Sequence, residues 1–284
     1  MTGLKTPSAE PVRTAAVVTH GNPDAIGEGL ELFERVAGEA GVELSYPRDE
    51  AEKHDRDADT ADFQKVDVVV VLGGDGTMLR ALRRTLGTGT PVVGVNFGEV
   101  GFLTSIKAHA LKDGLRRVFA GDYVIVELPT LDIEAGAHRH VAVNDIVIAS
   151  SIIGRMIELG WAVGGEDLGV VPCDGVLCST PPGSTGYNLS NGGPVLVWGL
   201  DAQVVTFIAP HSLHARPLVV PRSRSVEIEN RTADVTAAAL VDGQPVGELA
   251  AGESVVVRLG EQASLLAHLP EATFFRRYRE TFAS

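Results

Sequence analysis

Apolar positions along this chain follow two textures, and the change from one to the other falls near Gly121. In the first stretch, apolar runs of strand length alternate with segments of helical period. Thr14 to Thr19 (TAAVVT) predicts a short buried strand. His20-Gly21-Asn22-Pro23 turns the chain, with Asp24 placed to cap a helix. Ile26, Leu30, Phe33, Ala37 and Ala40 recur at spacings of three and four and predict one buried helix face, which Gly41 closes as a C-cap. Val42 to Tyr46 reads as a second strand, so the order strand, helix, strand predicts a parallel sheet. Pro47 to Gln64 is crowded with Asp, Glu and Lys, lacks a period, and reads as a solvated surface loop. Val68 to Leu72 is an unbroken, β-branched run, as expected for a parallel strand covered on both faces. Met78 to Leu86 reads as helix, Pro91 to Val95 as strand, and Ala108 to Phe119 as a helix stopped by Gly121.

From Tyr123 onward short alternating runs take over: VIVELPTLDIEA, HVAVNDIVIAS, QVVTFIA, RSVEIEN, ADVTAAALV and ESVVVRL. Turn signals separate them, which predicts an all-β unit. The expected organisation is an α/β N-terminal domain with a parallel sheet (residues 1–121), a C-terminal all-β domain (122–271), and a helix (272–284, ATFFRRYRETF and its flanks) that packs back on the first domain through Phe274, Phe275, Tyr278 and Phe282. Met1 to Pro11 reads as a mobile tail.

Composition narrows the class without changing this picture. A chain of 284 residues with 44% apolar content has enough material for two domains of ordinary size. The formal net charge of −13 argues against general binding to nucleic acid or anionic membrane through bulk charge, though a local basic pocket for a nucleotide stays compatible with it. The two cysteines, Cys173 and Cys178, make a poor zinc site and no disulfide framework, and a reducing cytoplasm is the natural setting. The start, MTGLKTPSAEP, has no apolar core of a signal sequence, and no stretch reaches membrane-spanning length.

Candidate chemistry centres on Lys65 to Thr77, KVDVVVVLGGDGT, a buried strand that ends in a glycine turn with a carboxylate inside it. Gly73, Gly74 and Gly76 remove three side chains, so backbone amides there can approach phosphate oxygens, and the following helix offers its N-terminus to an anion. Asp75 would repel that phosphate unless it holds a metal ion or takes a proton from an attacking hydroxyl; an Asp-Gly turn is the bland alternative. The loop Asn96 to Thr104 follows a strand on the side where open α/β sheets bind ligands, and Phe102 fits either a cover for a flat base or a core plug. Asn144-Asp145 fits either two ribose hydroxyls or a β-bulge. Cys173 to Pro194 (CDGVLCSTPPGSTGYNLSNGGP) is rich in hydroxyl and amide groups but has no Lys or Arg, so it suits sugar and amide contacts more than a polyphosphate clamp. His211 and His214 lack a third metal ligand and read as structural. Arg216 fits a phosphate or a surface salt bridge. Asp242-Gly243-Gln244 is first a hairpin turn.

Taken in order and spacing, these pieces resemble the NAD kinase family across nearly the whole chain: GGDGT at Gly73 to Thr77, GEVGFL at Gly98 to Leu103, Asn144-Asp145, DGVLCSTPPGSTGYNLSNGGP at Asp174 to Pro194, ARPLVV at Ala215 to Val220, DGQ at Asp242 to Gln244, and the ending Phe274 to Arg279. GGDGT alone is shared with lipid kinases of the diacylglycerol kinase type, and a close relative occurs in phosphofructokinases; the long Ser/Thr/Gly/Tyr motif is far more specific. The resemblance implies an α/β domain joined to a β-sandwich, assembled as a homodimer or homotetramer in the cytoplasm. It implies phosphorylation of the adenosine ribose 2′-hydroxyl of NAD by ATP or polyphosphate, with a divalent cation, usually Mg2+, screening the phosphates and no metal site built from protein alone. Asp75 would accept the hydroxyl proton, Gly74 and Gly76 would line the site, and Phe102 would lie near the adenine. Asn144 and Asp145 would hold ribose hydroxyls and Asp174 the nicotinamide half, with Thr185, Gly186, Tyr187 and Ser190 at the adenine and amide regions. Gly73, Thr77, Arg80 and Arg216 are candidates for phosphate contact and Gln244 a further site candidate. The chain differs from the family's usual pattern at Asp145 (Glu), Pro182 (Thr or Ser) and Gly186 (Ala). Two alternatives stand beside this reading: a non-catalytic or altered-specificity dinucleotide-binding paralogue, and a GGDGT-type lipid or sugar kinase.

Overall fold

The computed structural model describes residues 10–58, 63–98, 101–135 and 138–283, so Glu99 and Val100 of the predicted GEVGFL loop and most of the predicted N-terminal tail lie outside the described residues. The chain divides into two compact units, residues 1–128 with 264–284, and residues 129–263.

The first unit is built on a parallel sheet. In chain order its elements are β1 (Thr14–Thr19), α1 (Gly29–Ala40), β2 (Glu43–Ser45), α2 (Arg48–His54), β3 (Val68–Gly73), α3 (Asp75–Arg84), β4 (Val92–Asn96), β5 (Ile106–Lys107) and α4 (Leu111–Phe119). β1 lies between β2 and β3, β3 pairs with β4, and β4 pairs with β5, all parallel. The uninterrupted valines of β3 are wholly buried, as a strand covered on both faces requires. α1 buries Leu30, Phe33, Val36 and Ala37, and Gly41 ends it in the left-handed conformation at φ 70°, donating to the carbonyls of Ala37 and Gly38.

Three expectations change here. Ile26 is buried but belongs to a separate single turn, Pro23–Ile26, and Ala40 is exposed at the last position of α1. The cap of that turn is Asn22, whose side chain accepts from the amide of Asp24, so Asp24 is the capped residue and not the cap. The Pro47 to Gln64 segment is not all loop: residues 48–54 form α2. Its buried face consists of Glu50 and Ala51, so no large apolar side chain marks the helical period in the sequence.

The second unit is two layers of antiparallel strands. Its elements are β6 (Val124–Ala135, of which residues 124–128 belong to the first unit), β7 (His138–Ala142), β8 (Asp145–Ser150), β9 (Ile157–Val163), β10 (Glu166–Cys173), β11 (Gly175–Ser179), the single turn α5 (Tyr187–Ser190), β12 (Ala202–Ile208), β13 (Leu218–Pro221), β14 (Val226–Asn230), β15 (Ala237–Val241), β16 (Gln244–Leu249) and β17 (Ser254–His268). One layer runs β13-β12-β11-β8-β15-β16; in the other β10, β9, β14 and β17 are successive neighbours and β6 joins β17 to β7. Inward-facing Ile146, Ile148, Val176 and Val205 of the first layer meet Ile157, Leu159, Ile228 and Val257 of the second in one core. Cys173 and Cys178 are free, buried in it, and pushed up to about 12 by burial, so they are inert packing residues.

The last stretch of β17 belongs to the first unit, where Leu266 and Ala267 pair in parallel with β4. α6 (Phe274–Phe282) follows, capped by the Thr273 hydroxyl, which accepts from the Arg276 amide at 3.3 Å. Phe274 is buried, but Phe275, Tyr278 and Phe282, expected to dock with it, are each more than two-fifths exposed. No helix among the described residues is long and apolar enough to cross a membrane.

Candidate active site

In the first unit the strand β3 ends at Gly73 and α3 begins at Asp75, with Gly74 in extended backbone at its N-cap. The Gly74 carbonyl accepts from the amides of Thr77 and Met78, both at 3.0 Å, so Asp75 stands in the first turn of the helix. A Cβ on Gly73 would come within 2.5 Å of the Thr77 hydroxyl, which makes this glycine a packing requirement. Gly74 and Gly76 face no heavy atom within 4 Å of an added Cβ, so open space lies beside them.

The Asp75 carboxylate is fixed by a second loop. Its Oδ2 accepts from the Phe102 amide at 2.8 Å and its Oδ1 from the Leu103 amide at 3.0 Å. The loop comes so close that a Cβ on Gly101 would sit 2.2 Å from Oδ1. Phe102, expected near an adenine, is buried, with its ring 6.1 Å from that of Phe274 and 5.6 Å from that of Phe282.

Gly73, Gly74, Gly76, Thr77 and Arg80 line a cleft of ≈ 490 Å3 together with His20, Phe97 and Gly98. Arg80 reaches it on a tether. Its guanidinium donates to the Thr19 carbonyl at 2.5 Å and to Glu50 at 2.9 Å. Glu50 is wholly buried and also accepts from the Thr19 amide (3.1 Å), the Thr19 hydroxyl (2.6 Å) and Lys53 (2.8 Å). Beside it the His54 imidazole lies 2.7 Å from the Thr19 hydroxyl, and burial holds its pKa below the usual value. A buried carboxylate needs such partners, since an unpaired one would be expelled or neutralised. Glu50 and Lys53 were invisible as site residues because they sit in a polar segment with no motif.

In the second unit Asn144 and Asp145 open β8, against the hairpin turn between β15 and β16. That turn has Asp242 at φ 47° and Gly243 at φ 77°, the left-handed pair of a type I′ hairpin. Asp242 has a second task that the hairpin signal did not reveal. Its carboxylate accepts from the amides of Val143 (2.9 Å), Asn144 (2.7 Å) and Asp145 (3.2 Å). Asp145 is 7% exposed, and burial first, then the negative charge of Asp242, pushes its carboxyl up to about 7. Asn144 Oδ1 is buried without a hydrogen-bond partner among the described residues.

The segment after β11 is stitched to this pair. Thr180 donates its hydroxyl to the Val143 carbonyl at 2.7 Å and its amide to the Asn144 carbonyl at 2.9 Å. Ser184 and Asn188 are spent internally: Ser184 donates to Pro181 and accepts from Leu196, and Asn188 bridges Ser184, Pro194 and Thr206. The remaining polar groups stay accessible, with Gly186, Tyr187 and Ser190 exposed and Thr185 half-buried. Asp174 is exposed at the opposite end of β11. Ser179, not Gly175, is the residue of that strand paired with Asp145, so Asp174 is separated from Asn144-Asp145 by roughly 17 Å at ~3.4 Å per residue. Gln244 and Arg216 are exposed, Arg216 donating to the neighbouring Ala215 carbonyl. Among the described residues no group of three or more His, Cys, Asp or Glu could hold a metal ion, and His211 and His214 form no such set.

The family model of the ATP-NAD kinase N-terminal domain matches residues 29–123, and that of the ATP-NAD kinase C-terminal domain matches residues 143–269. An NAD kinase of Heliobacterium modesticaldum is 42% identical over 77% of this chain and 79% of its own length. The chain belongs to the NAD kinase family. An NAD kinase of Syntrophotalea carbinolica is 35% identical over 89% of this chain and 88% of its own. Among solved structures, yeast NADH kinase complexed with NADH shares the fold at a TM-score of 0.84 with 22% identity, covering 96% of this chain and 88% of that one. The NAD kinase from Archaeoglobus fulgidus in complex with ATP gives a TM-score of 0.76 with 26% identity over 95% of this chain and 97% of that one. The activity is accordingly that of an NAD kinase, phosphoryl transfer to NAD, and the lipid- and sugar-kinase alternative is set aside.

Proposed function

We propose that this NAD kinase uses Asp75 as the general base that takes the proton of the adenosine ribose 2′-hydroxyl. The freed oxygen attacks the γ-phosphorus of ATP, the bond to the β–γ bridging oxygen breaks, and NADP and ADP leave. The observation that carries this reading is the fixed Asp75 carboxylate, held on both oxygens by the Phe102 and Leu103 amides on a helix N-terminus beside two side-chain-free positions. Each oxygen keeps lone-pair capacity after accepting one amide, so a hydroxyl proton has an acceptor. Gly73, Gly74, Gly76 and Thr77 offer backbone and a hydroxyl to the phosphates, and the tethered Arg80 supplies a fixed positive charge at the same cleft.

Asn144 and Asp145 are assigned to ribose hydroxyls, supported by the unpartnered Asn144 Oδ1 and by the stitching of their strand start to Thr180, and Thr185, Gly186, Tyr187 and Ser190 to the adenine and amide regions, supported by their accessibility. Asp174 is assigned to the nicotinamide half and Arg216 and Gln244 to the periphery. Phe102 enters as packing for the loop that fixes Asp75. A Mg2+ would be carried on the nucleotide phosphates themselves, which leaves the Asp75 carboxylate for the proton. Such an ion would screen the charge on the transferred phosphoryl group. A cytoplasmic homodimer or homotetramer completes the proposal.

The test is a product analysis. Purified protein is offered NAD, NADH, diacylglycerol and fructose 6-phosphate with ATP or polyphosphate, and the product is read by 31P NMR. A 2′-phosphomonoester on the adenosine ribose of NAD is expected. A phosphate elsewhere on the dinucleotide, or binding of NAD without any NADP, contradicts the proposal.

A further inference from the structure

The C-terminal helix carries a charge that the mechanism above has not used. Arg277 lies on α6, is 4% exposed, and its guanidinium donates through one terminal nitrogen to the carbonyls of Phe102 and Thr104. Its Nε donates to the Ala272 carbonyl at 3.2 Å, which fixes the side chain at its own end. Burying a guanidinium is costly, and burial pulls its pKa down to about 10 while the nearby charge of Asp75 acts in the opposite sense. Charged donors to carbonyl oxygens offset such a cost.

The two carbonyls belong to the loop that also supplies the Phe102 and Leu103 amides to Asp75. That loop therefore has its carbonyls held from one side and its amides engaged on the other. Its side chains join the same support, since Phe102 packs on Phe274 and Phe282 of α6. The close approach of Gly101 to the carboxylate leaves no slack, because a shift of the loop would either open both amide bonds or drive backbone into Asp75.

We infer that Arg277 is a positioning residue for catalysis: from the C-terminal helix it locks the 101–104 loop and thereby sets the orientation of the Asp75 carboxylate. The inference rests on the proposed role of Asp75. A carboxylate free to rotate loses the alignment that proton transfer needs, and small misplacements of a reacting group cost rate far more than they cost substrate affinity.

A double-mutant cycle tests this, with kcat, KM for NAD and for ATP, and the melting temperature measured on the full chain. Arg277→Met is expected to lower kcat at least ~10-fold while both KM values stay within ~3-fold. In an Asp75→Asn background the same substitution should change kcat by less than ~2-fold, since the residue it positions is gone. A purely structural role would instead lower the rate by the same factor in both backgrounds. Should Arg277→Met lack a cooperative melting transition, the cycle is read with Arg277→Lys, which keeps the charge but not the rigid fork and should fall between the wild type and full loss. Unchanged kcat in the Arg277 variant, or equal losses in both backgrounds, overturns the inference while leaving Asp75 in its role. Unchanged kcat in Asp75→Asn alone overturns the reading beneath it.

Discussion

Asp145 lies under opposing demands, since the proposed role of accepting from sugar hydroxyls is best served by an ionised group, yet its site is buried and faces the negative Asp242. Its pKa in the folded chain, raised to about 7 by burial and by Asp242, is above the usual aspartate value of 3.8. The native state therefore binds the extra proton between those values, and stability falls as pH rises across that interval. Asp145→Asn should remove this slope, so its melting temperature relative to wild type should climb from pH 4 to pH 7 and level off above. A parallel pH dependence of the two proteins would argue against the coupling. Where a motif carried the candidate residues, their local placement was legible from the sequence: Asp75 opens a helix directly after a strand, Asp145 opens a strand, and the Thr185 to Ser190 run follows one. What the sequence concealed was who holds them. The Phe102 and Leu103 amides, the Asp242 carboxylate and the Arg277 guanidinium act through three-dimensional proximity, over 27, about a hundred and about 175 residues of separation.

At the scale of elements, the parallel sheet and the antiparallel layers follow from periodicity, because their buried faces are apolar. The helix α2 escaped for the opposite reason: its buried face is built around Glu50, a carboxylate paired with Lys53 and Arg80. Removing that carboxylate leaves two cations without their partner, and Glu50→Ala should cost about 2–4 kcal/mol, less than a fully buried pair because Arg80 and Lys53 keep partial contact with water. Chemical denaturation measures this, and a loss below ~0.5 kcal/mol would make the cluster a surface feature. The loop joining β11 to α5 gives a sharper contrast between two glycines. A Cβ at Gly183 would meet the Asn144 carbonyl at 2.0 Å, whereas at Gly186 the nearest atom is the Gly183 carbonyl at 3.3 Å. Gly183→Ala should therefore cost about 1–3 kcal/mol and weaken NAD binding. Gly186→Ala, the residue expected from the family pattern, requires the Gly183 carbonyl to give by only a few tenths of an ångström and should cost clearly less than Gly183→Ala. Calorimetry with NAD on both variants reads the difference, and equal behaviour would show that the segment is not pinned to Asn144.

Across the whole molecule, the composition break near Gly121 announced two kinds of structure, and the structure has a parallel α/β unit and an antiparallel β unit. The return of residues 264–284 to the first unit was legible only in part, as an aromatic helix with faces to bury; that it brings Arg277 was not, because a buried arginine has no sequence signature. With the proposed Mg2+ carried on the nucleotide phosphates, chelation of divalent cations should stop turnover and leave NAD affinity within a few-fold of its value with metal present. Retained turnover in excess chelator would place the neutralisation of phosphate charge on the protein alone. The most direct test of the central claim is the turnover of Asp75→Asn in the conversion of NAD and ATP to NADP. A positioned base is worth ~10²–10⁴-fold, so kcat should fall by at least ~10²-fold with a much smaller change in NAD dissociation constant. Equal turnover in the variant and the wild type would contradict the account.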